Sequence, residues 1–202
     1  TIGGIGGTGS GKSSLVNLIP RLYDATQGEV LVDGVNVKDY DIETLRNKVG
    51  IVMQKAVLFK GTIRENMWMG KKGATDEQID EALEISQSKE FVDSKQGRLD
   101  YVIEQGGKNL SGGQRQRLTI ARAIVRKPDV LILDDSASAL DFATDAALRK
   151  AIRGMNNSPT VFIVSQRAAS LMYADLIIVL DDGQVAGMGT HDELLANCEV
   201  YK

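Results

Sequence analysis

Cysteine and histidine each occur once in the 202 residues, as Cys198 and His191. A single cysteine excludes an internal disulfide framework and points to a reducing compartment; a thiol so near the chain end reads as inert. No apolar run approaches the roughly 18 residues needed to cross a bilayer, and no basic-then-apolar targeting pattern opens the chain. The net charge of −3 and pI near 5.3 leave no cationic excess, so the overall field does not favour nucleic acid or anionic lipid. Internal repeats and low-complexity tracts are also missing. What is present fits one domain of ordinary size, large enough for a core without staples. The chain opens on Thr1 with a glycine-rich loop five residues on, so residues 1–202 are expected to be an N-terminally truncated fragment of a longer protein. Gly3 and Gly4 predict that the stub before the loop is a poor strand, because glycine packs nothing and costs backbone entropy.

Apolar β-branched runs recur at 50–53, 130–133, 160–164 and 176–180, with helical patterns between the later ones. That alternation predicts an α/β fold, a mostly parallel core sheet flanked by helices. Hairpin signals at 29–34 and at 176–183 add a small antiparallel β part. Thr75 with Gln78 and Thr190 with Glu193 read as capping boxes that open surface helices. Residues 75 to about 111 are polar with scattered anchors (Ile79, Leu83, Ile85, Phe91) and predict an α-helical subdomain. Pro128 stops the helix that begins near Gly112.

The strongest local signal is Gly6-Gly7-Thr8-Gly9-Ser10-Gly11-Lys12-Ser13, followed by Ser14, which satisfies G-x-x-x-x-G-K-[ST]. Glycines let consecutive amides curl round a phosphate, the lysine reaches the β and γ phosphates, and the hydroxyl of Ser13 can ligate magnesium. Such a loop needs a second, acidic site for the metal, and Val130-Leu131-Ile132-Leu133-Asp134-Asp135 supplies one at the end of an apolar strand. Alone, that pattern is equally a solvated strand end. Leu110-Ser111-Gly112-Gly113-Gln114 places a hydroxyl and free amides at a helix start, a second anion-binding nest or simply a capped loop.

In their order these motifs resemble ATP-binding cassette (ABC) transporter nucleotide-binding domains, a branch of the P-loop NTPases, and Leu110 to Gln114 is similar to their signature. Gln54 looks like the Q-loop glutamine, Ser138-Ala139-Leu140-Asp141 like the D-loop, and the runs 58–66 and 189–195 like exporter-type cassettes. The resemblance implies ATP and Mg²⁺ as cofactors. It implies that Gly6, Gly7, Thr8, Gly9, Ser10, Gly11, Lys12, Ser13, Ser14 and Gln54 bind nucleotide, with Ser111, Gly112, Gly113 and Gln114 closing over a nucleotide held by another chain. Ser13, Gln54 and Asp134 would surround the metal, and Lys12, Gln54, Asp135 and Gln166 would serve hydrolysis. It further implies an upstream transmembrane domain in the same chain, a second cassette as partner, and a place on the cytoplasmic face of the cell membrane. Met67, Trp68 and Met69 read as packing, near where the family receives a coupling helix. Arg115, Arg117, Arg122 and Arg126 read as a solvated helix face and not as a nucleic-acid site.

Two positions depart from the family pattern. Competent cassettes end the acidic strand in Asp-Glu, whereas here the second residue is Asp135, one methylene shorter. A carboxylate about 1.5 Å short of its water can cost about a hundredfold in rate. The only histidine, His191, lies in a capping box as an exposed helix-start residue and cannot be the switch; the family's switch position reads Gln166, which can donate a hydrogen bond but carries no proton at neutral pH. Both changes fall in one half-site while the loop and the signature stay intact, which predicts the degenerate half of a heterodimer. Alternatives are a soluble non-transport ABC ATPase or an importer ATPase subunit. The roughly hundred residues between loop and signature lack the heptads of the chromosome-type relatives. A GTPase reading fails because Asn47-Lys48-Val49-Gly50 lacks the aspartate of a guanine-reading motif.

Overall fold

The computed structural model describes residues 1–136 and 138–202. In chain order it runs β1 (Ile2–Ile5), α1 (Lys12–Asn17), β2 (Leu31–Val32), β3 (Val35–Asn36), α2 (Ile42–Lys48), β4 (Val49–Val52), β5 (Gly61–Thr62), α3 (Ile63–Trp68), α4 (Asp76–Ile85), α5 (Lys89–Asp93), β6 (Val102–Ile103), α6 (Gly112–Ile124), β7 (Val130–Asp134), α7 (Phe142–Arg153), β8 (Thr160–Ser165), β9 (Leu176–Asp181), β10 (Gln184–Gly189) and α8 (His191–Asn197). It divides into two compact units, Thr1–Ile51 with Val130–Asp135 and Thr160–Lys202, and Val52–Asp129 with Ser136–Pro159. Among the described residues no helix is long and apolar enough to cross a membrane.

The first unit is built on a six-stranded sheet in the order β10-β9-β1-β8-β7-β4. β1 runs parallel to β8 and β9, β7 runs parallel to β8, and β10 returns antiparallel to β9. The strands expected at 50–53, 130–133, 160–164 and 176–180 are present, displaced at their ends by one residue. β1 corrects an expectation: the Gly-Gly stub is a central strand, hydrogen-bonded on both sides. Glycine suits position 3, because a Cβ there would lie 3.2 Å from both Leu171 Cδ atoms and 3.4 Å from Ile177 Cγ1, tighter than ordinary contact. Val16 of α1, Leu45 of α2, Val32 of β2, and Val49, Ile132 and Val164 of the sheet form one buried cluster. Burial of each such side chain contributes about 1.5–3 kcal/mol before the entropy of ordering is charged against it.

Two-residue turns close both hairpins. Asp33 (φ 52°) and Gly34 (φ 75°) join β2 to β3, and Asp182 (φ 45°) and Gly183 (φ 78°) join β9 to β10. Two successive positive φ values define the type I′ turn, whose twist matches that of the strands; this is why an Asp-Gly pair signalled each hairpin.

In the second unit α4 and α6 pack together, burying Ile79, Ala82 and Leu83 of α4 and Leu118, Ile120 and Ile124 of α6. Asn66 on α3 is fully buried: its Oδ1 accepts from Phe59 N, and its Nδ2 donates to the carbonyls of Phe59 and Thr62, each at 3.0 Å. A buried amide with three partners fixes the loop before α3 to the helix itself. Met67 is core, whereas Trp68 and Met69 keep substantial exposure. The capping boxes expected at Thr75/Gln78 and Thr190/Glu193 are formed, and two more, at Thr62/Glu65 and Ser111/Gln114, follow the same S/T-x-x-E/Q spacing.

The arginines of α6 and of the turn that follows it correct a further expectation, since they do not form a solvated face. Arg115 donates to the Leu110 carbonyl at 2.8 Å, Arg117 to that of Gln87 at 2.5 Å, Arg122 to that of Val57 at 2.9 Å and Arg126 to that of Gly70 at 3.0 Å. The Arg117 guanidinium lies 4.9 Å from the Phe91 ring centre and that of Arg122 5.8 Å from that of Phe59. Desolvation by burial lowers the pKa of Arg117, Arg122 and Arg126 from the ordinary arginine value. Guanidinium groups are weakly hydrated and planar, which suits them to staple loop carbonyls around a helix.

Candidate functional site

The strand register of the first unit gathers one set of candidate residues. Ile5 lies opposite Ser165 across β1 and β8, and Asp134 lies opposite Val164 across β7 and β8. The three adjacent parallel strands therefore end together. Gly6 continues from β1, Asp135 from β7 and Gln166 from β8, at the carboxyl edge where open α/β sheets place their ligands.

The loop from Gly6 to Gly11 is shaped by close contacts. A Cβ on Gly6 would fall 2.2 Å from the Leu180 carbonyl oxygen and 2.4 Å from Ser10 Oγ, whereas one on Gly7 would meet nothing within 4 Å. Gly9 (φ 80°) and Gly11 (φ 94°) hold the left-handed conformation that turns the chain into α1. Ser10 is buried, its carbonyl accepts from Gly183 N at 3.2 Å, and its N–H donates to the Gly7 carbonyl at 3.2 Å. The Asp182-Gly183 turn thus buttresses the loop. Its sequence announced a hairpin but gave no sign of this second task. Lys12 Nζ donates to the carbonyls of Gly6 at 2.8 Å and Gly7 at 2.6 Å, and to Ser10 Oγ at 3.3 Å. Beneath its stem lie apolar residues of β1, α1, β8 and β9, among them Ile2, Val16, Val164 and Ile178.

The first turn of α1 has no side-chain cap, in contrast to α2, α3, α4, α6, α7 and α8, which are capped by Asp41, Thr62, Thr75, Ser111, Asp141 and Thr190. Its unpaired amides, beside the Lys12 ammonium and the exposed Thr8, Ser13 and Ser14, suit an anion.

Asp134 is buried at the end of β7. Asp135 has a left-handed backbone, φ 47°, and its N–H donates to the Val164 carbonyl at 2.9 Å. Aspartate tolerates that region better than most residues, a backbone preference that the Asp-Asp pair did not reveal. Gln166 is exposed just past β8. Among the described residues no group of three or more His, Cys, Asp or Glu could hold a metal by itself. A single buried carboxylate, together with a helix-start hydroxyl in the same unit, is a donor set that suits magnesium, which keeps its waters and takes few protein ligands.

Gln54 and the 111–114 segment belong to the second unit. Gln54 is exposed after β4. Ser111 and Gly112 are exposed too. Ser111 Oγ accepts from Gln114 N at 3.2 Å while Gln114 Oε1 accepts from Ser111 N at 3.1 Å, so serine and glutamine cap the helix reciprocally. The serine proton remains available to donate outward. A Cβ on Gly113 would sit 3.3 Å from the Ala139 carbonyl, which sets the 138–141 segment against the start of α6. Asp141 caps α7 through Thr144 N at 2.9 Å and Thr144 Oγ1 at 2.7 Å; these bonds, the backbone one foremost, hold its carboxyl below the ordinary aspartate range. Replacing Ser111 by alanine is expected to cost about 1 kcal/mol, a melting temperature lower by a few degrees, with glycine costing only a few tenths. Thermal melts of the two variants check this; equal losses would contradict the capping role.

His191 is less exposed than expected: its Nδ1 lies 2.8 Å from the Tyr201 hydroxyl, with the rings edge to face at 5.7 Å. It serves the packing of the chain's end, and Cys198 is a buried free thiol.

A parallel sheet whose strand ends carry a glycine-rich loop and acidic residues is the architecture of the P-loop nucleotide-binding proteins. Residues 1–138 match the family model described as ABC transporter. An uncharacterized ABC transporter ATP-binding protein of Mycobacterium tuberculosis is 45% identical over 200 residues, covering 98% of this chain and 34% of that protein. A Staphylococcus aureus ATP-binding/permease protein named for multidrug export is 40% identical over 202 residues, 100% of this chain and 35% of that protein. The solved structure of a bacterial Atm1-family ABC exporter with ATP bound superposes with a TM-score of 0.92 at 32% identity, over 98% of this chain and 35% of that one. The chain belongs to the ABC transporter family, as its ATP-binding domain, and two of these relatives, the Staphylococcus aureus protein and the Atm1-family structure, are named as exporters. It spans about a third of the length of these relatives.

Proposed function

We propose that this chain binds Mg-ATP and drives export of a substrate across a membrane, and that its own nucleotide site turns over slowly. The observation that carries the reading is the uncapped first turn of α1 beneath a glycine loop that only glycine at position 6 permits. Residues Gly6 to Ser14 cradle the phosphates, and Lys12 exchanges its loop carbonyls for phosphate oxygens. Ser13, Gln54 and Asp134 are the metal-side residues. Magnesium, when bound, supplies charge to offset the phosphates. Asp135 orients the attacking water from a carboxylate one methylene short of glutamate, and Gln166 donates to the γ-phosphate without accepting a proton.

Ser111, Gly112, Gly113 and Gln114 complete the site of a second cassette, to which Ser111 offers its hydroxyl proton. The intact signature beside an impaired hydrolytic pair is the reason to assign that partner to a different chain. A transmembrane domain fused upstream receives the work, at the cytoplasmic face of the membrane, and residues from about 75 to 111 act as the helical subdomain. Similarity to the fused ATP-binding/permease protein supports this arrangement.

Calorimetry with ATP and magnesium is expected to give saturable heat, and phosphate release from the chain alone to be slow. An absence of heat would end the nucleotide reading. Fast turnover would end only the claim of an impaired site.

A further inference from the structure

The second unit contains an open cleft of about 260 Å³ between α4, the end of α6 and the segment that follows α7. A cleft of this size on the surface stays open only where its walls are held apart. Those walls are tied at defined points. Lys127, at φ 51°, turns the chain out of α6, and its ammonium lies 2.8 Å from the Glu81 carboxylate on α4. Asn157 Nδ2 donates to the Pro128 carbonyl at 2.8 Å, anchoring the segment after α7. The floor is apolar, formed by Ala82, Ile85, Ile124 and Met155.

We propose that this cleft is a binding site for a small neutral amphipath, a flat or branched apolar body of about the size of an indole with one head group that both donates and accepts hydrogen bonds. The volume lies just under the range of small-molecule pockets and far below that of a partner helix. Glu81 and Lys127 cancel each other at the rim, so neither an anion nor a cation is preferred there. Their side chains are 43% and 47% exposed, and a pair so open to solvent is worth little, so a polar head can insert between them at small cost. Met155 supplies a flexible, polarizable wall that adapts to the shape of the occupant. The site lies wholly within the unit that lacks the glycine loop, and the proposal does not rest on the nucleotide reading.

The test is a titration of the chain, ¹³C-labelled at isoleucine and methionine methyls, with indole. Saturable shifts are expected at Ile85, Ile124 and Met155, together with intermolecular NOEs from the indole ring to those three methyls. The Ile85→Trp variant, which fills the cleft, is expected to lose both. Should that variant not fold, the NOEs in the unaltered chain decide the matter by themselves. Shifts that do not saturate, NOEs to other methyls, or binding unaffected in a folded Ile85→Trp variant would overturn the site. Tighter binding of indole-3-acetate or of tryptamine than of indole would overturn the neutral class of ligand.

Discussion

Replacing Asp135 by glutamate together with Gln166 by histidine is expected to raise steady-state ATP hydrolysis by about a hundredfold. The two positions lie at the ends of neighbouring strands: Asp135 follows β7 and Gln166 follows β8, and the Asp135 amide is pinned to the Val164 carbonyl on β8. With the backbone held there, a longer side chain is the direct way to bring a carboxylate closer to the attacking water. Histidine adds a group that can exchange a proton near neutral pH, which the glutamine amide cannot do. The change has an opposing cost. Asp135 lies at φ 47°, and glutamate is less at ease in that region than aspartate, so stability should fall by at most about 1–2 kcal/mol. Phosphate release and thermal melting of the double variant separate the two effects. An unchanged rate in a folded variant would mean that Asp135 already reaches the water, or that turnover is limited elsewhere.

Gly6→Ala and Gly7→Ala, adjacent and chemically identical substitutions, are expected to differ sharply. At Gly6 the added methyl would meet the Leu180 carbonyl oxygen at 2.2 Å; this is backbone in the strand beside β1 and cannot rotate away. The loop must move, and the carbonyls that hold Lys12 move with it. Overpacking of this kind costs about 1–3 kcal/mol of stability. Displacing two or more charge-assisted phosphate contacts, each worth about 1.5–3 kcal/mol, should lower ATP affinity by at least about a hundredfold. At Gly7 the methyl meets nothing, and the melting temperature should stay at its original value. Calorimetry with Mg-ATP and thermal melts of both variants test the contrast. Retention of ATP affinity in Gly6→Ala would sink the claim that this close approach shapes the phosphate cradle.

Much of the architecture was legible because it rests on local rules. Asp33-Gly34 and Asp182-Gly183 demanded turns with positive φ, Thr75 and Thr190 with their partners three residues on demanded helix starts, and the apolar runs demanded buried strands. The glycine loop and the acidic strand end were equally plain as motifs. Errors arose where a neighbour distant in the chain decides the matter. Gly3 looks unfit for a strand until Leu171 and Ile177 are seen to crowd the place a side chain would take. Arg117, Arg122 and Arg126 look like a solvated stripe until the carbonyls of Gln87, Val57 and Gly70 are found waiting for them.

By itself the sequence determined the main parallel strands, the two hairpins, several helix starts, and the presence of a glycine loop and an acidic strand end, since propensity, capping and motif spacing depend on neighbours a few residues apart. Only the tertiary structure decided that β1, β8 and β7 end side by side, that the turn at Gly183 supports the loop at Ser10, and that Asp135 takes a left-handed backbone. Those outcomes come from strand register and close packing between segments distant in the chain, Asp135 from Val164 and Ser10 from Gly183, which no local pattern encodes.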